Sequence, residues 1–289
     1  MNPLLPKIIV CPKCKKEINY NEKINIQDCD SCGKNYEILD HILCFANLSD
    51  KTIISSKPKP PGKGSNWRKE NWLFNSNFAD GLSPDDIILE IGCGRGYFKS
   101  IFKKNYIGLD VNAYKEADII CDLTKENCIR EKSLDVVLLN NVLEHVYDYT
   151  SLIKAASLSL KIGGKMLITV PFSSIMHQVP HDYFRLTQFA LNTLLEENDM
   201  KITIFEAVYS PIIEIRRSLN RLIQSFDSNP RNALATIFIK FLLIQLKIAT
   251  KISNGIYPNG IVSILDNEIK ESDHNYKSPI GYQLVAQKT

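Results

Sequence analysis

The sequence predicts an α/β chain: a doubly wound, mostly parallel sheet, preceded by a small Cys-rich module and carrying a helical insertion before its last strand. Three observations point there. From residue 67 onward, short β-branched apolar runs alternate with amphipathic ones, the order of a βαβ chain. A glycine-rich turn, Gly92-Cys93-Gly94-Arg95-Gly96, follows the first of those runs. Residues 49–66, SDKTIISSKPKPPGKGSN, hold three prolines, two glycines and four lysines with little to bury, the composition of an extended connector. The connector separates a segment at 1–48 from a domain at 67–289, which has the length to bury one ordinary core.

In chain order, strands are expected at Ile87–Ile91, Tyr106–Asp110, Asp118–Cys121, Leu134–Asn140, Lys165–Val170, Lys201–Glu206 and Tyr282–Gln287. Most are nearly continuous in apolar character, as strands covered on both faces must be. Helices are expected at Gly96–Lys104, Thr150–Ile162 and Thr187–Asn198. Thr150 and Thr187 are candidate N-caps, and Gly163-Gly164 is the expected stop for the second helix.

Composition narrows the setting. The formal charge is only +3, so no global field attracts a polyanion. Met1 to Val10 hold two prolines and no basic-then-apolar run, unlike a secretory signal. No stretch reaches the roughly 18 apolar residues of a bilayer span. A cytoplasmic location is the expectation. Of eight cysteines, four form two CxxC pairs and the rest are scattered in apolar segments, which fits reduced thiols and one metal better than disulfides.

Those pairs, Cys11-Pro12-Lys13-Cys14 and Cys29-Asp30-Ser31-Cys32, are separated by fourteen residues. Four thiolates so spaced can converge on one structural Zn²⁺ while the chain between them makes a hairpin. Redox or incidental pairing is the alternative. Too little core exists here for independent folding, so the metal would supply much of the stability. With Tyr36–Ile42, the segment resembles the zinc ribbon of some ribosomal RNA guanine methyltransferases, which also occurs as a separate methyltransferase partner. That resemblance implies a structural or recognition role.

The run Ile87-Ile88-Leu89-Glu90-Ile91 enters the glycine turn as a buried strand. Glycines let a ligand lie against the backbone and the following helix start. Nicotinamide and flavin enzymes use related loops, so the neighbours decide. Glu90 lies two residues ahead of Gly92, and Asp110 ends the second strand, where a carboxylate can accept from both ribose hydroxyls. Asp122 and Leu123, after the third strand, offer an acceptor for an exocyclic amine and an apolar neighbour for adenine. This third element favours S-adenosylmethionine.

The strings LEIGCGRG, YIGLD, CDLT, LDVVLLNNVLEHVYD and LKIGGKMLITVPF, in that order across roughly residues 85–205, resemble class I S-adenosylmethionine-dependent methyltransferases, in particular the small-molecule group related to quinone-biosynthesis enzymes. The resemblance implies a Rossmann-like seven-stranded sheet with its last strand antiparallel. It also implies that Glu90, Gly92, Gly94 and Gly96 shape the methionine and ribose pocket, that Asp110 holds the ribose and that Asp122 with Leu123 holds the adenine. Asn140 and Asn141 would approach the sulfonium. Ordinary strand-end acids are the plainer reading of Asp110 and Asp122, a small filler that of Cys93, and solvent or an anionic substrate group the alternatives for Arg95.

Methyl transfer mainly requires alignment and exclusion of water. A hydroxyl acceptor adds a use for a base. Two segments offer one: Leu143-Glu144-His145, and the loop His177-Gln178-Val179-Pro180-His181-Asp182-Tyr183-Phe184-Arg185-Leu186-Thr187. His181 is the preferred base, with His145 a second candidate and Tyr183 and Arg185 as acceptor contacts. Against this stand a packing role for His145, an Asp182–Arg185 loop salt bridge and a simple cap at Thr187. HDYFRLT resembles a segment of family members with polysaccharide or lipid acceptors.

About seventy residues, roughly 211–278, separate the sixth and last strands, where the resembled family has a short connection. Within them Ala233–Ile252 reads as a largely apolar helix with Thr236, Lys240, Lys247 and Lys251 on one stripe and Gln245 opposite. It closes over the core or a dimer partner, or lies on the inner membrane face as an interfacial helix, with Arg216, Arg217 and Arg221 nearby. The overall expectation is methylation, at oxygen, of a small-molecule, saccharide or lipid-linked acceptor. The competing readings are an RNA methyltransferase using the zinc ribbon, against which the modest charge argues, and a non-catalytic zinc-dependent adaptor. Oligomeric state is not legible.

Overall fold

The computed structural model describes residues 2–18, 26–46, 52–55, 66–102, 105–208, 218–219, 222–223, 233–256, 261–263 and 279–289. Most of the connector expected at 49–66, and about half of the insertion expected at 211–278, lie outside these residues, as do Arg216, Arg217 and Arg221.

One eleven-stranded sheet organises the chain. Its middle is the anticipated set: β4 (Ile88–Ile91), β5 (Tyr106–Asp110), β6 (Ile119–Ile120), β7 (Leu134–Asn140), β8 (Leu160–Pro171), β9 (Met200–Val208) and the last strand, Gly281–Lys288. Strands β4 to β8 pair in parallel. The last strand inserts antiparallel between β8 and β9, with Leu284 opposite Ile168 and Phe205. Full burial along β4 and β5 matches their uninterrupted apolar sequence, since strands covered on both faces have no polar side.

The sheet exceeds the expected seven strands at both edges. At one edge β10 (Ile261–Ser263) pairs antiparallel with β9, so the last strand is β11. At the other, the N-terminal segment supplies α1 (Leu5–Ile8), β1 (Ile26–Cys29), β2 (Lys34–Leu39) and β3 (Ile42–Cys44), and β3 pairs in parallel with β6 through Leu43 and Cys44. The Cys-rich segment therefore continues the sheet. Leu5, Ile8 and Leu43, each fully buried, share one apolar cluster with Ile107, Ile119 and Leu134. Burying side chains of that size is worth about 1.5–3 kcal/mol each. Backbone bonds from Val10 to Cys128 and from Arg130 to Ile8 fasten the segment further.

Several local expectations change. The helix after β7 is α4 (Tyr149–Ser159), capped by Asp148, whose carboxylate accepts from Ser151 N; Thr150 instead donates its hydroxyl to Asp148. It stops before Gly163-Gly164 because buried Leu160 already pairs with Leu134 in β8. Gly163, at φ +80°, sits in the irregular stretch of that strand. Thr187 does cap α5 (Gln188–Glu196), accepting from Ala190 N. The helix after the glycine turn is short, α3 (Lys99–Phe102). Helix α2 (Asn66–Asp80) has no counterpart in the sequence reading.

In α6 (Ala233–Ile256), Ile239 and Leu243 pack with Ile223, whereas Leu234, Ile237, Phe238, Phe241, Ile244 and Ile248 are exposed. Among the described residues no helix is long and apolar enough to cross a membrane.

Candidate active site

The carboxyl ends of β4 to β8 and the loops leaving them, with the first turns of α2, wall one cleft of about 1090 Å³. Open α/β sheets bind ligands at this edge because the strands end there and their loops diverge. Gly92 (φ +72°) turns the chain out of β4, and a Cβ on it would lie 2.6 Å from Val142 Cγ2. At Gly94 (φ +49°) a Cβ would meet nothing within 4 Å, so its face toward the cleft is open. Asp110, at the end of β5, accepts from the amides of Gly94 and Asn112, each at 2.9 Å. Burial pushes its pKa up, and these bonds oppose the shift.

Asp122, after β6, lines the same cleft. It accepts from Thr124 Oγ1 at 2.6 Å and pairs with Lys125 at 2.8 Å. Partial burial raises its pKa, but the bonds from Lys125 and Thr124 outweigh that and hold it below the usual carboxylate range.

From the cleft wall a polar chain runs down into the core. Tyr106 donates its hydroxyl to Glu90, and the Asn140 amide reaches the other Glu90 oxygen at 3.4 Å. Asn140 and Asn75 exchange amide bonds at 2.9 and 3.1 Å. Asn71 accepts from Gln283 at 2.7 Å, and Trp67 Nε1 donates to Asn141 Oδ1 at 2.6 Å. Three residues of this chain, Trp67, Asn71 and Asn75, belong to α2 at four-residue spacing, so one helix face docks by hydrogen bonds onto β7 and β11. Burial pushes the Glu90 carboxyl up to about 7, against the bonds from Tyr106 and Asn140.

At the far end of the cleft, the 3-10 turn Leu143–His145 meets the loop after β8. His145 Nδ1 lies 2.5 Å from the His181 carbonyl oxygen, and its ring stands edge-on to His177 with centroids 4.8 Å apart. Burial lowers the His145 pKa. His181 Nδ1 lies 3.0 Å from the Tyr183 hydroxyl. Arg185 holds Asp182 bidentately at 2.7 and 2.8 Å. That bond, foremost, holds the Asp182 carboxyl well below its ordinary range. Glu144 is buried, and burial pushes its carboxyl up to about 8.

Residues 67–227, more than half of the chain, match the model of a family described as a methyltransferase domain. The chain belongs to the methyltransferase-domain family. No curated protein matches its sequence. Among solved structures, the methyltransferase is similar to a possible histamine N-methyltransferase from Thermotoga maritima, at 11% identity and TM-score 0.46, over 76% of this chain and 89% of that one. It is similar to an S-adenosylmethionine-dependent methyltransferase from Archaeoglobus fulgidus, at 16% identity and TM-score 0.43, over 76% and 94%. A phosphoethanolamine N-methyltransferase from Haemonchus contortus matches at 15% identity and TM-score 0.43, over 76% of this chain. The methyltransferase spans about half the length of that enzyme, 52%.

Of the residues that the sequence singles out in this methyltransferase, Gly92, Gly94, Arg95, Asp110, Asp122, Leu123, Asn141, His145, His181 and Tyr183 line the cleft together. Glu90, Gly96 and Asn140 do not. Glu90 and Asn140 lie one layer below, in the polar chain. Gly96 packs on Glu116, whose Cβ would be 3.0 Å from a methyl there. Arg185 also stays out of the lining, because Asp182 and the carbonyls of Phe184 and Ile175 take its guanidinium; as an acceptor contact it gives way to the loop salt bridge. Cys93 is buried, its thiol pushed well up by burial, which fits a filler against Gly108. Sequence reasoning missed Trp67, Arg68 and Asn71 of α2, which line the cleft, and gave no individual role to His177 and Gln178 of the candidate loop, which line it as well. The indole at Trp67 was the available signal.

At the N-terminus the four sulfurs of Cys11, Cys14, Cys29 and Cys32 lie within 4.8 Å of one another, with Cys11–Cys32 at 3.5 Å and Cys14–Cys29 at 3.4 Å. Tyr36 supplies a hydroxyl 3.0 Å from Cys11 Sγ.

Proposed function

We propose that the methyltransferase moves the methyl group of S-adenosylmethionine to an oxygen of a small-molecule, saccharide or lipid-linked acceptor. The observation that supports this best is the shared cleft: Asp110, tied to Gly94 of the turn, stands on one side with Asp122, and a histidine-rich wall stands at the other end. In this reading Asp110 holds the ribose, Asp122 and Leu123 the adenine, and the Gly92–Gly94 turn the methionine, while Asn141 faces the sulfonium. Glu90 and Asn140 act from below, by fixing the strand ends. The acceptor enters beside His145, His181 and Tyr183. His181 takes the acceptor proton, and Tyr183, 3.0 Å from its ring nitrogen, orients it. Arg185 acts by positioning, since it braces the loop through Asp182.

The four N-terminal cysteines fit a structural Zn²⁺. A tetrahedral thiolate site with Zn–S near 2.3 Å spaces its sulfurs at about 3.8 Å, close to the 3.4 and 3.5 Å separations here. Bound there, the metal would brace the knuckles that carry β1 to β3 and would take no part in the chemistry. For α6, the exposed Leu234, Ile237, Phe238, Phe241, Ile244 and Ile248 support peripheral contact with an anionic membrane face, which suits a lipid-linked acceptor. Liposome flotation at low salt tests it, and an unbound protein would remove it.

The deciding experiment for the acceptor is mass spectrometry of metabolites and lipids after the purified protein is incubated with isotope-labelled cofactor and a cell extract. A labelled O-methyl product is expected. Label confined to RNA would overturn the reading in favour of a nucleic-acid substrate, and absence of cofactor binding in a calorimeter would overturn it in favour of an adaptor.

A further inference from the structure

Glu144 sits in the 3-10 turn after β7 with its carboxylate only 1% exposed. Neither of its oxygens has a hydrogen-bond partner. One of them lies 3.7 Å from His145 Nε2. Donor atoms of Glu144, His145 and His177 all fall within 4.8 Å of one another. A carboxylate taken out of water with no donor is among the costliest arrangements in a protein, and such groups are paired, bind cations or take up a proton. Arg185, the nearby guanidinium, is committed bidentately to Asp182.

Outer contacts fix which ring nitrogens point inward. A backbone carbonyl only accepts, so the contact of His145 Nδ1 with the His181 oxygen places the proton on Nδ1 and the lone pair on Nε2. His177 Nδ1 faces the Ile175 carbonyl oxygen at 3.1 Å, which frees its Nε2 in the same way. A ring N–H anchored on a carbonyl, with the other nitrogen bare, is how metal-binding histidines are held. The amide of exposed Gln178 now covers His145 Nε2 at 2.9 Å and would swing aside.

We propose that Glu144, His145 and His177 bind one divalent transition-metal cation at the acceptor end of the cleft, with coordination positions left open for the acceptor hydroxyl. Two imidazoles and a carboxylate suit Mn²⁺, Fe²⁺, Co²⁺ or Zn²⁺ better than Mg²⁺ or Ca²⁺, which favour oxygen alone. The proposal rests on the O-methylation reading and supplies its activation step. A hydroxyl bound to the cation loses its proton more readily, and His181 accepts that proton. The oxygen then bonds to the methyl carbon as the carbon–sulfur bond breaks, releasing neutral S-adenosylhomocysteine. The cation changes neither charge nor oxidation state.

Mn²⁺ is the probe, because it prefers this set to the thiolates of the Cys cluster. Free Mn²⁺ is followed by electron paramagnetic resonance during titration into the full chain, and cofactor binding is measured in parallel by calorimetry. One saturable Mn²⁺ per chain is expected, with affinity at least tenfold weaker in Glu144→Gln and in His177→Ala while both variants still bind the cofactor. His177 is partly exposed, so its truncation spares the fold even if the buried Glu144 variant does not fold. A wild-type protein that binds cofactor yet takes up no Mn²⁺, or equal Mn²⁺ affinity in the wild type and His177→Ala, would overturn the site. Mn²⁺ uptake without cofactor binding would support the cation site and sink the methyl-transfer reading instead.

Discussion

The indole N–H of Trp67 donates to the side-chain carbonyl of Asn141 at 2.6 Å, joining the first turn of α2 to the residue that follows β7. Asn141 sits at φ +54°, a left-handed backbone state that asparagine adopts more readily than most residues, and Asn71 adds a longer bond at 3.4 Å. The same indole covers Gly281, where a Cβ would meet Trp67 Cη2 at 2.6 Å and the Val170 carbonyl at 2.5 Å. Trp67→Phe removes the donor and keeps an aromatic ring. The expected loss is about 1 kcal/mol, a fall of about 2–4 °C in melting temperature, with cofactor affinity reduced about three- to tenfold because both residues line the cleft. Thermal melts and calorimetry read the two effects; if neither moves, the bond does not position the cofactor end.

How much of this was legible follows from where the apolar pattern is clean. The five parallel strands and the Gly92, Asp110 and Asp122 ends were readable because strands buried on both faces are written in uninterrupted apolar residues. Helix α2 was not, since its docking face is Trp67, Asn71 and Asn75, and buried asparagines imitate a solvated stripe. Its partners lie as far away as Gln283 in β11, beyond any local window. The N-terminal edge extension was hidden for a similar reason: β3 has three residues, and only tertiary pairing with β6 makes them a strand. Gly163-Gly164 misled because a positive-φ glycine serves an irregular strand as well as a helix end.

Asp110 is the residue on which cofactor affinity should depend most. Asp110→Ala removes a charged acceptor from the cleft and also releases the Gly94 and Asn112 amides. Loss of one charge-assisted set is worth roughly 1.5–3 kcal/mol, or about tenfold to over a hundredfold in affinity. Calorimetry with S-adenosylmethionine checks it. Full affinity in the variant would move the ribose elsewhere.

Zinc removal should be felt at a distance. The cysteine knuckles carry β1 to β3, and β3 borders β6, whose far end leads into Asp122. Elemental analysis is expected to give one zinc per chain fewer in Cys14→Ser than in the wild type. Chelation should lower the melting temperature and weaken cofactor binding together. A chelated protein with unchanged cofactor affinity would confine the metal's role to its own segment.

Glu90 makes stability depend on pH in a sense opposite to an exposed carboxylate. Its ordinary value is 4.5, and burial raises it to about 7 in the folded chain. The folded state therefore holds this proton more tightly than the unfolded one, so its contribution is full below about pH 4.5 and is lost as pH rises through about 7. The shift corresponds to roughly 3 kcal/mol. Glu144, raised to about 8 when no cation is bound, adds a loss of the same sign in metal-free protein, so the wild type alone does not isolate Glu90. Glu90→Gln does, because the amide stays neutral and its oxygen can still accept from Tyr106 or Asn140. Denaturant unfolding at pH 5, 6, 7 and 8 should show the variant gaining on the wild type at each step. A constant difference across that range would mean that Glu90 titrates at its ordinary value and that the polar chain running down from the cleft is open to water.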